Sequence, residues 1–261
     1  MPPSIELADT PGHEPSPVCC NVAMGVADPR WLGRALDWLL PPTCALCGAT
    51  GLPGLDLCAG CLAELPHNRV ACSRCAQPLS PGQVDGATCG SCQRHPPPFA
   101  AAHAAFRYEG PLHTLVAGAK FRGRTNLVRL LGTCLLRALV EQGAARPELI
   151  VPVPLHTARL RERGYNQALE IARVPGRALG LPIDVRSCAR VRATAPQMGL
   201  ERAARRRNVR GAFRVTSALA VRHVALVDDV VTTGQTAAEL AKTLRRAGVA
   251  RVDLWAVART P

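Results

Sequence analysis

The sequence predicts an α/β protein, a mainly parallel sheet flanked by helices, with a small cysteine-rich module ahead of it. Three observations carry this. From Phe99 onward, strand-like and helix-like segments alternate. Before it, eight cysteines fall into four Cys-x-x-Cys pairs between residues 44 and 92. Pro96-Pro97-Pro98 then makes a stiff boundary between the two regions.

The elements follow from local pattern. Residues 1–29 are proline-rich without periodicity and read as a loose tail. Residues 30–40 carry Trp31, Leu32, Ala35, Leu36, Leu39 and Leu40 at helical spacing, a short amphipathic helix that Pro41-Pro42 stops. The cysteine module occupies 41–95 and the α/β domain 99–261. Within the latter, residues 104–108 read as a strand, 111–120 as a short helix and 127–142 as a long one. A buried strand is expected over 149–153, and a helix over 166–179 that Pro175 interrupts. Strands are expected at 211–215 and 223–227. A helix over 236–247 closes at Gly248, and a last strand covers 251–258.

The 261 residues are 48% hydrophobic, which excludes a disordered chain and allows a sizeable core. No apolar run approaches the roughly 18 residues that a spanning helix needs. Glu6, Asp9 and Glu14 exclude a secretory signal over the first residues, so the expected setting is the cytoplasm, where thiols stay reduced. Lys and Arg number 32 against 19 acids, and only Lys120 and Lys242 are lysines. The charge is uneven: residues 1–98 sum to −3 and residues 99–261 to +16. An arginine excess of that size expects polyanions such as nucleic acid, pyrophosphate or a phosphorylated sugar.

The cysteine pairs are Cys44/Cys47, Cys58/Cys61, Cys72/Cys75 and Cys89/Cys92. Two thiolates separated by two residues grip one face of a tetrahedral metal, and a second pair closes the shell. Eight ligands make two four-sulfur sites. Zinc fits them best and iron–sulfur clusters are the rival. With no open position, the sites are structural. Pairing first with second and third with fourth is simplest, and the spacing also allows an interleaved arrangement. Cys134 and Cys188 sit among apolar residues as core thiols; Cys19-Cys20 belong to the tail.

The sharpest motif is Val224-Ala-Leu-Val-Asp228-Asp229-Val230-Val231-Thr232-Thr233-Gly234-Gln235-Thr236. A buried strand delivers two carboxylates at its end, a short hydroxyl-rich loop turns at glycine, and a helix begins with its free N–H groups facing the loop. That arrangement cradles phosphate, and adjacent carboxylates suit vicinal sugar hydroxyls. A phosphorylated pentose satisfies both halves.

This segment resembles the phosphoribosyl pyrophosphate (PRPP) signature of type I phosphoribosyltransferases. Within that superfamily the chain resembles the ComF/GntX family of bacterial competence and DNA-utilisation proteins over about residues 35–261. The likeness rests on ordered motifs: the four cysteine pairs; Lys120-Phe121; Val151-Pro-Val-Pro-Leu155; Arg163-Gly-Tyr-Asn-Gln167; Arg190-Val-Arg-Ala-Thr-Ala-Pro-Gln197; Arg207-Asn-Val-Arg-Gly-Ala-Phe213; and the acidic loop. Tyr165 stands where the family often has Phe, and residues 1–29 have no counterpart.

The resemblance implies a Rossmann-like phosphoribosyltransferase-like domain behind a double zinc ribbon. It assigns Asp228 and Asp229 to the ribose hydroxyls, and Val230, Val231, Thr232, Thr233, Gly234, Gln235 and Thr236 to the sugar and its 5′-phosphate. Lys120, Arg159, Arg163, Gln197 and Arg207 go to pyrophosphate and to a loop that closes over the reacting centre. Mg²⁺ accompanies PRPP. Three functions are consistent with it: a PRPP-dependent protein of DNA uptake or utilisation, transferring a phosphoribosyl group with pyrophosphate release if it turns over; a non-enzymatic adaptor that binds single-stranded DNA or DNA-translocation machinery and senses PRPP; and a nucleobase salvage enzyme.

Overall fold

A computed structural model describes residues 41–80, 82–84, 86–120, 124–192 and 209–261. The expected tail and helix of residues 1–40, and Gln197 and Arg207, lie outside them. Residues 41–261 form one unit. Its helices, among the described residues, are α1 (Ala59–Glu64), α2 (Gly90–Arg94), α3 (Leu112–Gly118), α4 (Thr125–Glu141), α5 (Thr157–Arg163), α6 (Gln167–Leu179) and α7 (Gln235–Arg246). Its strands are β1 (Ala101–Arg107), β2 (Leu149–Pro152), β3 (Cys188–Arg190), β4 (Phe213–Val215), β5 (His223–Val231) and β6 (Arg251–Arg259). The α/β expectation is borne out: β1, β6, β5 and β2 lie side by side in that order, every pair parallel. β3 and β4 make a separate antiparallel pair.

Burial on both faces explains the near-continuous apolar strands. Along β2, β5 and β6 alternate side chains enter opposite layers, as the strand period of two requires. Ile150, Ala225, Val227, Trp255 and Val257 face one core with α4 and α6. Leu149, Val151, Val224, Leu226, Val252 and Leu254 face the other, closed by Ala237, Leu240, Ala241 and Leu244 of α7. In α4 the buried Leu127, Leu131, Cys134, Leu135 and Ala138 recur at three and four residues, the stripe an amphipathic helix turns to a core.

The cysteine-rich segment belongs to both layers. Cys44, Leu55, Leu57 and Leu65 join the α4 side, while Ala76, with Cys75 beside it, joins the α7 side. The chain between them runs along the open edge of β1. The Arg107 N–H donates to Pro66 O at 2.7 Å, Asn68 N–H to Ala105 O at 3.0 Å and Ala102 N–H to Ser73 O at 3.0 Å. The opposite edge, β2, is covered around Ile183: Ile150 N–H donates to Pro182 O and Asp184 N–H to Ile150 O, each at 2.9 Å. Both edges of the sheet are thereby denied to other chains.

Two expectations are corrected. Pro175 does not interrupt its helix; α6 is continuous through it. Proline removes the hydrogen bond to the carbonyl of Ile171, four residues back. That carbonyl instead lies against Gly132 of α4, where a Cβ would stand 2.9 Å from it. Packing against a neighbouring helix thus shelters the exposed acceptor, with the close approach that a Cα–H···O contact requires. The second correction is at β5, which extends past residue 227 to Val231, so Asp228 and Asp229 are strand residues. Asp228 is opposite Ala256 and Val230 opposite Ala258 on β6, and this ladder carries the strand past the acids.

Candidate functional site

The polypeptide leaves β2 toward α6 on one face of the sheet and leaves β5 toward α7 on the other. Neighbouring parallel strands whose connections diverge in this way open a crevice beyond their carboxyl ends, the place where open α/β sheets bind ligands. A cleft of about 340 Å³ lies there. It is lined by Lys120, Arg159, Arg163, Arg190, by Asn166 to Ala168 at the start of α6, and by residues 228–237. The first turns of α6 and α7 therefore both border it.

Asp228 and Asp229 are half-buried and held by their own backbone. Asp228 Oδ1 accepts the Asp229 N–H at 3.0 Å, and Asp229 Oδ1 accepts the Val230 N–H at 2.7 Å. Burial, reinforced by the Asp229 carboxylate beside it, holds the Asp228 carboxyl well above its ordinary range; Arg190 acts in the opposite sense. After Val231 the chain turns through Thr232 and Thr233 to Gly234, whose φ of +71° a side chain would strain. Gly234 caps α7 and offers no side-chain acceptor to the N–H groups of the first turn.

The cations come from three directions. Arg159 and Arg163 belong to α5, which His156 begins by accepting the Ala158 N–H at 3.3 Å and Gly164 ends. Arg161, between them, is not a lining residue. Arg190 closes β3, with its guanidinium 5.6 Å over the Phe213 ring on the paired strand. Burial and then the Arg159 charge lower its pKa, and Asp228 draws it back up. Lys120 follows α3, and the Tyr165 hydroxyl donates to the carbonyl of its neighbour Ala119.

Gln167, Tyr108 and Arg190 are lining residues the sequence reading did not assign. Gln167 is 3% exposed; its Oε1 accepts from Arg163 Nη1 at 2.7 Å, while its Nε2 has no hydrogen-bond partner. Thr233 Oγ1 is likewise shut from solvent and unpartnered. Buried polar atoms are normally paired, so two such atoms lining one cleft fit a ligand rich in oxygen. Asn166 anchors this corner: its side chain accepts the Ala168 N–H at 3.0 Å, capping α6, and donates to Val153 O at 3.1 Å at the end of β2.

The cysteines gather into two separate groups, Cys44, Cys47, Cys58 and Cys61, and Cys72, Cys75, Cys89 and Cys92, with all sulfurs of a group within 4.8 Å of one another. The pairing is therefore sequential. Cys47 and Cys58 sulfurs lie 3.7 Å apart and those of Cys75 and Cys89 3.8 Å. Those separations are far beyond a disulfide bond and match the ~3.8 Å between corners of a tetrahedron with Zn–S bonds of about 2.3 Å. The Cys61 N–H points at Cys58 Sγ (3.4 Å) and the Cys89 N–H at Cys72 Sγ (3.2 Å), the outer contacts that steady metal-bound thiolates. The two groups could each hold a zinc ion. Cys134 and Cys188 are buried apart from them, as expected.

Comparison with known proteins adds the lineage. The chain is 34% identical over 226 residues to the DNA utilization protein YhgH of Salmonella typhimurium, covering 85% of this chain and 98% of that one. It has the same identity and coverage against YhgH of Escherichia coli K12. The chain belongs to the YhgH/Competence protein F family. Competence protein F of Haemophilus influenzae is 34% identical over 210 residues, 78% of this chain and 90% of its own length. The resemblance to the ComF/GntX family drawn from the motifs is thereby borne out.

For this member of the YhgH/Competence protein F family, residues 35–93 match the double zinc ribbon domain, the stretch that supplies both cysteine groups. Among solved structures, the glutamine PRPP amidotransferase of B. subtilis complexed with ADP and GMP is similar at 18% identity and a TM-score of 0.35, over 53% of this chain and 30% of its own. TT1426 of Thermus thermophilus is similar at 21% identity and a TM-score of 0.30, over 54% of this chain and 85% of its own. Among the described residues, no helix is long and apolar enough to cross a membrane.

Proposed function

We propose that this chain binds PRPP with Mg²⁺ in the cleft beyond β2 and β5 and acts, in the cytoplasm, in the uptake or utilisation of DNA. One observation carries the reading: the acid pair, the Gly234 turn and the cations Lys120, Arg159, Arg163 and Arg190 all line one cleft. In it the carboxylates of Asp228 and Asp229 accept the ribose hydroxyls. Thr232, Thr233, Gly234, Gln235 and Thr236, at the N-terminus of α7, take the 5′-phosphate. The arginines, whose planar forks suit phosphate oxygens, and Lys120 take the pyrophosphate, to which the family resemblance also assigns Gln197 and Arg207. Mg²⁺ would enter with PRPP, held by the ligand's own oxygens rather than by a cage of protein side chains, and would neutralise part of their charge beside Lys120, Arg159 and Arg163. Displacement of pyrophosphate from the sugar needs no covalent enzyme intermediate, so positioning and charge suffice for turnover.

Calorimetry with PRPP and Mg²⁺ tests the site. Wild type is expected to bind, and the Asp228→Ala/Asp229→Ala double variant to lose binding; equal affinity in the two proteins overturns the assignment. The charge of +16 over residues 99–261 favours a second reading, an adaptor for single-stranded DNA or translocation machinery that senses PRPP without transfer. Pyrophosphate release across a panel of free bases separates the readings. Release with a base supports transfer, and no release with any base supports the adaptor.

A further inference from the structure

We infer that Arg259 ties the phosphate turn to the second cysteine cluster, so that metal at that cluster, and not at the first, sets the shape of the anion-binding turn. The inference rests on the PRPP reading of the cleft. Arg259 ends β6 and is 8% exposed. Its guanidinium donates to backbone carbonyls on two sides. Nε donates to Cys75 O at 3.2 Å. Nη1 donates to Val231 O at 3.1 Å, to Thr260 O at 2.7 Å and to Thr232 O. Cys75 is one of the four sulfur ligands of the second group. Val231 and Thr232 are where β5 becomes the turn.

One side chain thus joins two segments far apart in sequence, and the joint requires arginine. A planar fork with donors on several edges reaches carbonyls on both sides at once, whereas a lysine ammonium is a single point. Through Cys75 O the Arg259 guanidinium is bonded to the backbone of a residue whose sulfur belongs to the second group. A zinc ion held by four thiolates is a net dianion, which would balance a buried guanidinium that has no ion-paired carboxylate among the described residues. The second cluster is anchored to the same layer from its other side, since Ala76 packs in one core with Val231, Ala237 and Ala256. The first cluster packs instead on the α4 face, and the contacts of its Cys58 sulfur among the described residues run to its own members, Cys47 and Cys61.

The test uses the full-length, zinc-loaded protein and reads hydrogen exchange over residues 228–236 without ligand, zinc per chain, and PRPP affinity. Arg259→Lys keeps the charge and removes the fork. It is expected to keep two zinc ions, to exchange on the order of ten-fold faster over 228–236, and to bind PRPP on the order of ten-fold more weakly. Cys92→Ser, which breaks the second cluster, is expected to speed exchange over the same residues. Cys47→Ser, which breaks the first, is expected to leave it at the wild-type rate. Wild-type exchange in Arg259→Lys, or equal loosening by the two cysteine variants, overturns the inference. Should Arg259→Lys not fold, the two cysteine variants decide by the same comparison. Should wild type fail to bind PRPP, the functional reading falls, while the exchange data still decide the tie.

Discussion

Asp228 costs the folded protein stability, and the sign of that cost is open to measurement. An unfolded aspartate loses its proton near 3.8, while the folded carboxyl keeps it to higher pH. Between those points the folded chain holds the extra proton, so stability falls as pH rises through the window and stays lower above it. Asp228→Asn is therefore expected to raise the melting temperature by a few degrees near neutrality and to give no advantage below the unfolded carboxyl's range; thermal melts across pH check this. Gln167 offers a second handle. Gln167→Glu keeps the volume but replaces the unpartnered donor with an acceptor. Calorimetry is expected to show PRPP affinity lower by roughly ten-fold or more, about 1.5 kcal/mol, with folding preserved. The acids and hydroxyls of residues 228–236 were legible in the sequence because they are contiguous and their chemistry is explicit. Gln167 and Arg190 stood in quoted motifs without a role, and Tyr108 in none: each is a single polar residue far from the others in sequence, and only the tertiary fold turns it toward them.

At the scale of elements, the join between α4 and α6 is the most exacting. A Cβ on Gly132 would stand 2.8 Å from Val174 Cγ2 and 2.9 Å from Ile171 O. Overpacking of this kind costs about 1–3 kcal/mol, against the ~1 kcal/mol of helix propensity that alanine gains over glycine. Gly132→Ala is accordingly expected to lower the denaturant midpoint by the equivalent of about 1 kcal/mol, with the slope unchanged. Most elements announced themselves through period and punctuation. The long helix, the buried strand at residue 149 and the closing strand all sit within a few residues of their expected bounds. The two departures share a cause. Pro175 and the Asp228-Asp229 pair are local breakers, and in each case a neighbouring element carries the structure through: α4 beside the freed carbonyl, and the β6 ladder beside the acids. A pattern read along one segment does not contain the segment next to it.

For the molecule as a whole, the cysteine-rich segment is part of the core. Leu55, Leu57 and Leu65 share one buried cluster with Leu131 and Leu135 of α4, and residues 66–73 cover the β1 edge. Stripping metal with a strong chelator is therefore expected to lower one cooperative calorimetric transition; an early, separate ribbon transition with the main one unmoved would contradict this. The charge asymmetry belongs to the same scale, because an arginine excess spread over the α/β domain acts as a field and not as a pair of contacts. The order of the sheet also dictates when the fold can be completed. β6 lies between β1 and β5, parallel to both. A nascent chain emerging from the ribosome must hold its earliest strand without its main partner until residues 251–259 are free, and ribosome-stalled chains ending before Arg251 should depend on chaperones to stay out of aggregates.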